Sequence, residues 1–260
     1  MLEQTLLGTF VIFGLALGSA AVGAVIGLGG GFMFVPILLF LGFTPQQAVS
    51  TSLILVFFNA VSASLVFHSQ GRLKLRSASQ LGLLTLPCGA AGAYVASFFD
   101  TATFRVVFGV FLAAVSLYMI LSKRRLVQSG SAGIEEGALR AAMNRRSYVV
   151  SAAAGFLSSL LGVGGGVLMV PSFIHLVGMH TPVATATSQF VTLFSSGVGL
   201  TSFLAMGHLE PQLVPVVALA GILGGQAGAR LSRRLRARVI EVAVGIALLA
   251  VAINLLLGQT

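Results

Sequence analysis

Long apolar runs alternate with short polar breaks along the chain, and the runs fall into two sets of five. The first set covers about 5–28, 31–42, 46–67, 78–98 and 104–122. The second covers about 147–162, 166–178, 183–205, 212–230 and 239–257. They are too long and too continuously apolar for strands, so the pattern predicts an all-α polytopic membrane protein. The second run of each set has only 12 or 13 residues. That is about 18–20 Å of helix against a hydrocarbon core of roughly 30 Å. It is either a re-entrant half-helix paired with the run before it or a thin full crossing. Thr44-Pro45 and Thr181-Pro182 predict a Thr N-cap and a Pro at the first helical position of each third run.

The two sets are copies. Gly27-Leu28-Gly29-Gly30-Gly31-Phe32-Met33-Phe34-Val35-Pro36 returns as Gly162-Val163-Gly164-Gly165-Gly166-Val167-Leu168-Met169-Val170-Pro171, offset by 135 with six of ten positions identical. The match continues at offset 136: Ala48, Thr51, Ser52 and Phe58 meet Ala184, Thr187, Ser188 and Phe194, and Gly89, Gly92 and Ala93 meet Gly225, Gly228 and Ala229. The expected organisation is a first membrane repeat over 1–122, a polar linker over 123–146 and a second membrane repeat over 147–260. Internal duplication of this kind is a feature of secondary transporters.

Composition narrows the class. Of 260 residues, 57% are hydrophobic and 8% charged, where soluble domains carry roughly 25% charged residues. That excludes a disordered chain, a nucleic-acid-binding domain and a disulfide scaffold. Fifteen Lys and Arg against six Asp and Glu give +9, but the cations fall in short blocks between apolar runs. If the first two runs of each half form one hairpin, the halves are inverted. Fourteen of the fifteen cations then share a side and only Arg105 lies opposite. Parallel halves would put the block from Arg230 to Arg238 on the wrong face. The positive-inside rule selects inversion, with both termini outside and the linker in the cytoplasm. Met1–Thr5 carries no cation, so the first run is expected to be retained rather than cleaved as a signal peptide. Cys88, the single cysteine, reads as a small packing residue.

Candidate chemistry lies in the glycine motifs and the third runs. Gly29, Gly30 and Gly31, with Gly164, Gly165 and Gly166, break a helix in apolar surroundings. Such backbone survives in a membrane only inside protein or along a wet cavity. The half-helix that follows starts with free N–H groups, an anion site that needs no cation. Gly27 and Gly31, like Gly162 and Gly166, also have the spacing of close helix packing. Duplication, with Pro36 and Pro171 at matching places, favours the functional break. In the third runs Thr51, Ser52 and Asn59, with Thr187, Ser188 and Gln189, either donate to an anion or bond within the helix bundle. Acidic residues lie in loops or at helix ends. The sequence offers no acid–base pair, metal set or hydrolase grouping, so no enzyme, cofactor or metal is expected.

Two copies of Gly-x-Gly-Gly-Gly with Val-Pro, each followed by an Ala-x-x-Thr-Ser segment, resemble the TauE/SafE family of sulfite and organosulfonate exporters. The resemblance covers nearly the whole chain. It implies a bacterial multi-pass exporter of sulfite, sulfoacetate or a related sulfur anion. Another small carboxylate or inorganic anion is the alternative cargo. A membrane-embedded enzyme or assembly factor is disfavoured for want of a nucleophile. The expected partners are a small anion and the lipid bilayer, with no nucleic acid and no oligomeric state specified. One central site is expected at the glycine breaks, walled by Thr51, Ser52, Thr187 and Ser188, with Asn59 and Gln189 beside them.

Overall fold

The computed structural model describes residues 6–121, 145–175, 179–207, 210–233 and 237–257. Among these residues the chain is helical without strands. In order come α1 (Leu6–Ile26), α2 (Gly31–Phe40), α3 (Pro45–Ser69), α4 (Leu75–Ala96), α5 (Thr101–Leu121), α6 (Arg145–Leu161), α7 (Gly166–His175), α8 (Thr181–Ala205), α9 (Val214–Leu231) and α10 (Ala237–Leu257). The expected linker lies outside the described residues except at its end, where α6 starts at Arg145. Four described helices are long and apolar enough to cross a membrane: α1 from Gly8, α3, α5 and α9. Large apolar side chains such as Phe10, Leu65, Val110, Val149, Leu223 and Ile246 point outward, as a lipid solvent allows.

The α3 start follows its sequence closely. Thr44 accepts from Gln47 N–H, and the Gln47 side chain accepts from Thr44 N–H at 3.0 Å, a capping box with Pro45 in the first turn. The α8 start differs from expectation. His180 is the N-cap without a side-chain bond, and Thr181 and Pro182 are already helical. The helix begins one residue early because Val183 and Ala184 N–H both reach the His180 carbonyl.

Packing between the two sets of five is exchanged. α4 packs on α6 as α9 packs on α1. α3 packs on α9 as α8 packs on α4. The matched helices α3 and α8 touch, and so do α5 and α10. Both matched pairs run antiparallel. Gly199 faces Leu53 while Gly197 faces Phe57. Gly109 faces Leu256 while Gly245 faces Met119 and Ile120.

The short helices return the way their partners came. After Ile26 the chain doubles back, so that Gly30 lies against Ser19 and Ala20. α2 then starts beside Ser52 and Val56 in the middle of α3 and ends four residues before α3 begins. α1 runs in the same direction as α9 and α3, with Leu17 at Gly224 and Ala21 and Ala24 at Gly228. Each short run is therefore half of a hairpin that starts and finishes at one end of the molecule. Gly165, against Ala154, repeats the construction in α6–α7.

Loops from the two sets meet at the ends. At one end Gln47 Nε2 donates to Glu210 Oε1 at 2.6 Å, and Gln46 Nε2 donates to the Phe99 carbonyl at 2.8 Å. At the other, Arg72 Nη1 donates to Ser232 Oγ at 3.1 Å. Burial, and then the charge of Arg233, holds the Arg72 guanidinium below the ordinary arginine value. This basic end is also where α4 starts, and α6, parallel to α4 with Gly155 at Thr85 and Phe156 at Gly92, starts there too.

Glycine lets helix backbones touch. A Cβ on Gly92 would strike the Phe156 carbonyl, and one on its repeat mate Gly228 the Ala21 carbonyl. Gly92→Val and Gly228→Val are each expected to cost about 1–3 kcal/mol through overpacking. Gly14→Ala, with nothing within 4 Å of the new atom, should gain about 0.5–1 kcal/mol of helix propensity. Thermal unfolding in detergent checks the contrast.

Candidate functional site

The two hairpin tips meet in the middle of the molecule, where α3 and α8 cross. Gly29 (φ 88°) and Gly164 (φ 84°) hold left-handed backbone in the two tips, which a side chain would strain. Gly31 lies on the Gly162 carbonyl, and Gly166 on the Gly27 carbonyl. These contacts are mates of each other, so the tips embrace reciprocally.

Serine hydroxyls fasten the embrace. Ser52 Oγ donates to the Gly162 carbonyl and Ser188 Oγ to the Gly27 carbonyl, each at 2.7 Å and each reaching into the other half. Both serines are fully buried. Their protons are committed to the breaks, so their first role is to satisfy carbonyls that have left the helix. Asn59 does similar work on the first tip, where its Nδ2 donates to the Gly29 carbonyl at 2.7 Å. Its Oδ1 has no partner and lies beside Gly225 of α9.

A second group of polar atoms has no such employment. Both ends of the Gln189 amide and the Thr192 hydroxyl are buried without a hydrogen-bond partner. A Cβ on Gly29 would sit 3.5 Å from Thr192 Cγ2 and 3.9 Å from Gln189 Oε1; one on Gly164 would sit 3.4 Å from Thr192 Cγ2. Thr192 thus lies against both tips, and Gln189 against the first. Leaving a buried polar group unpaired costs about 1–3 kcal/mol, so atoms placed like this are poised for a ligand or water. α2 and α7 both begin here, bringing two positive helix ends to the same place. Donors without a countercharge, at two helix N-termini, can hold a small oxyanion.

Thr51 and Thr187 are not brought to the tips. Thr51 shares a helix face with Leu55, Phe58 and Ser62. That face packs on α9, where Gly221 meets Leu55 and Phe58 and Ser62 Oγ donates to the Ile222 carbonyl. Thr187 shares a face with Phe194 and Val198, which meet Gly82 and Gly89 of α4. Both threonine hydroxyls are buried and unpartnered, beside neighbouring helices. Gly30 and Gly165 form the inner turns against Ser19 and Ala154. Pro36 and Pro171 lie inside α2 and α7. Thr192, like Gln189, has an aliphatic repeat mate, Val56, so the duplication does not mark it as a site residue. Its signal was a hydroxyl one turn beyond Gln189 in an apolar helix.

The two groups predict opposite stability effects. Ser52→Ala and Ser188→Ala strand a buried carbonyl and should each cost about 1–3 kcal/mol. Gln189→Leu and Thr192→Val remove unsatisfied groups and should leave the melting temperature unchanged or raise it. Thermal shift measurements on the four variants in detergent check this.

Comparison with known proteins agrees with this architecture. The chain matches the family described as "Sulfite exporter TauE/SafE" over residues 10–255. The "Probable membrane transporter protein YunE" of Bacillus subtilis is 32% identical over 95% of this chain and 96% of its own length. A "Probable membrane transporter protein" of Xylella fastidiosa is 30% identical over 95% of this chain and 92% of its own. The "Probable membrane transporter protein MJ0441" of Methanocaldococcus jannaschii is 25% identical over 91% and 90%. No solved structure matches the chain. Two hairpin tips held by each other's serines, in a helical bundle with an apolar exterior, are thus the centre of a multi-pass membrane transporter, and the chain belongs to the TauE/SafE sulfite exporter family.

Proposed function

We propose that the protein carries a small sulfur-containing anion, such as sulfite, sulfoacetate or another organosulfonate, outward across the bacterial inner membrane through one central site. The observation that carries the reading is two unpartnered buried side chains, Thr192 between the two tips and the Gln189 amide beside the first. A sulfonate or sulfite group presents several acceptor oxygens on one charge. That suits N–H and O–H donors and two helix N-termini better than it suits a cationic side chain, which would bind too tightly to release. The glycines 29–31 and 164–166 supply the backbone of the site. Ser52, Ser188 and Asn59 hold that backbone in shape.

The proposed arrangement is two inverted repeats, 1–122 and 147–260, joined by a cytoplasmic linker with both termini outside. Its support is the antiparallel crossing of matched helices and the meeting of Arg72 with the Ser232 loop. In parallel repeats the loops carrying these residues would lie at opposite ends. The basic end is then the cytoplasmic one. The inside-negative potential favours exit of an anion by about 2.3 kcal/mol per charge per 100 mV, so facilitated export needs no buried carboxylate.

Flux into and out of proteoliposomes, measured for sulfite, sulfoacetate, isethionate and taurine, tests the cargo; no flux for any of them would end the sulfur-anion reading. Thr192→Val and Gln189→Leu should each lower apparent affinity about tenfold to a hundredfold, the worth of one hydrogen bond to a charged group. Thr187→Val should change it little. Export rates should fall when the potential is clamped to zero, and rates that do not move would exclude potential-driven exit.

A further inference from the structure

The routes from the two ends of the molecule to the hairpin tips are built from matched positions with opposite chemistry. On α8, Thr185, Gln189, Thr192 and Ser196 recur at i, i+4, i+7 and i+11 and form one stripe. The stripe runs from the basic end, where α8 begins, to the crossing with α3. All four side chains are buried. Their repeat mates on α3 are Val49, Leu53, Val56 and Ala60, which run to the crossing from the Glu210 end. One stripe is polar at every turn, and the other is aliphatic at every turn.

α6 and α1 repeat the contrast. Ser147, Ser151, Ala154 and Ser158 form a buried stripe on α6 at the same spacing. The mates on α1 are Ile12, Ala16, Ser19 and Gly23, with one hydroxyl among them. The two polar stripes approach each other near the tips, through Ser195 beside the α8 stripe. Ser195 Oγ donates to Ser158 Oγ at 3.2 Å, Ala154 lies at Gly165, and Thr192 lies at Gly164. α6, α7 and α8 pack on one another around this line. Ser151 Oγ, Thr192 Oγ1 and both amide ends of Gln189 are buried along it without partners.

We infer that anions pass between the basic end and the tips along a hydroxyl-lined lane between α6, α7 and α8, while the matching lane between α1, α2 and α3 is an aliphatic seal that stays dry in the empty protein. The inference rests on the reading of the centre as the substrate site. A partly dehydrated oxyanion moving down the polar lane meets a donor at nearly every helical turn, about 5.4 Å apart. On the aliphatic side it meets only Ser19, and an unsolvated charge there is strongly disfavoured. Water and substrate therefore reach the empty centre from the basic end. The gradient and the potential still set the net direction of flux.

Paired single cysteines in the full chain with Cys88→Ser test this in proteoliposomes of known sidedness. The reagent is a negatively charged, membrane-impermeant methanethiosulfonate applied to one face at a time. Ser151→Cys and Thr192→Cys should be labelled from the basic end only. Their mates Ala16→Cys and Val56→Cys should resist labelling from both faces while reacting fully after denaturation. Equal labelling within a pair, labelling at 16 or 56 in the empty protein, or no labelling at 151 would overturn the lane. Ser158→Cys serves as the reporter if Ser151→Cys does not elute as a single species. Sulfoacetate should slow labelling at Thr192→Cys. Labelling of the lane without that protection would refute the substrate reading and leave the lane standing.

Discussion

Backbone that leaves a helix deep inside an apolar bundle must find hydrogen-bond partners in the surrounding protein or along a wet cavity. Every other feature of the centre follows from how this chain meets that demand. Each hairpin tip gives a carbonyl to a serine of the opposite half: Gly27 to Ser188, and Gly162 to Ser52. Each first-turn glycine, Gly31 and Gly166, lies on the carbonyl so satisfied. Neither tip can take this shape alone. The breaks, the crossing of α3 and α8 and the close approach of the halves are one structural unit.

Within that reciprocal frame the chemistry is one-sided. The serines that hold the tips occur in both copies, because both tips need them. Gln189 and Thr192 occur once, against Leu53 and Val56. Duplication preserves what the scaffold requires, and divergence is free to act at positions on which the tips do not depend for their hydrogen bonds. A single polar wall facing an aliphatic one suits a cargo bound off the centre of the crossing.

Much of this was legible in the sequence. The run lengths pointed to an all-helical membrane chain, the duplicated glycines located both breaks, and Thr44-Pro45 marked the start of α3. The charge blocks anticipated that the loops near Arg72 and Arg233 would share an end. Two things were not legible. Whether the short runs crossed or returned depends on contacts such as Gly30 with Ser19 and Gly31 with Ser52, which no local pattern encodes. Which face of α3 and α8 looked at the tips depends on which helices pack beside them. Thr51 and Ser52 are neighbours in sequence but about 100° apart around the helix, so one is turned toward α9 and the other holds a tip. Polarity alone could not separate them.

The reciprocal fastening also sets a clock on biogenesis. The Gly27 carbonyl waits for a hydroxyl 161 residues later in the chain. At translation speeds of about 5–20 residues per second, that hydroxyl is made roughly 10–30 s after the glycine. Through that interval the first hairpin sits in the bilayer with an unsatisfied turn and without α9, the helix it packs against. The nascent first half is therefore an incomplete object that membrane quality control has to tolerate until α8 arrives.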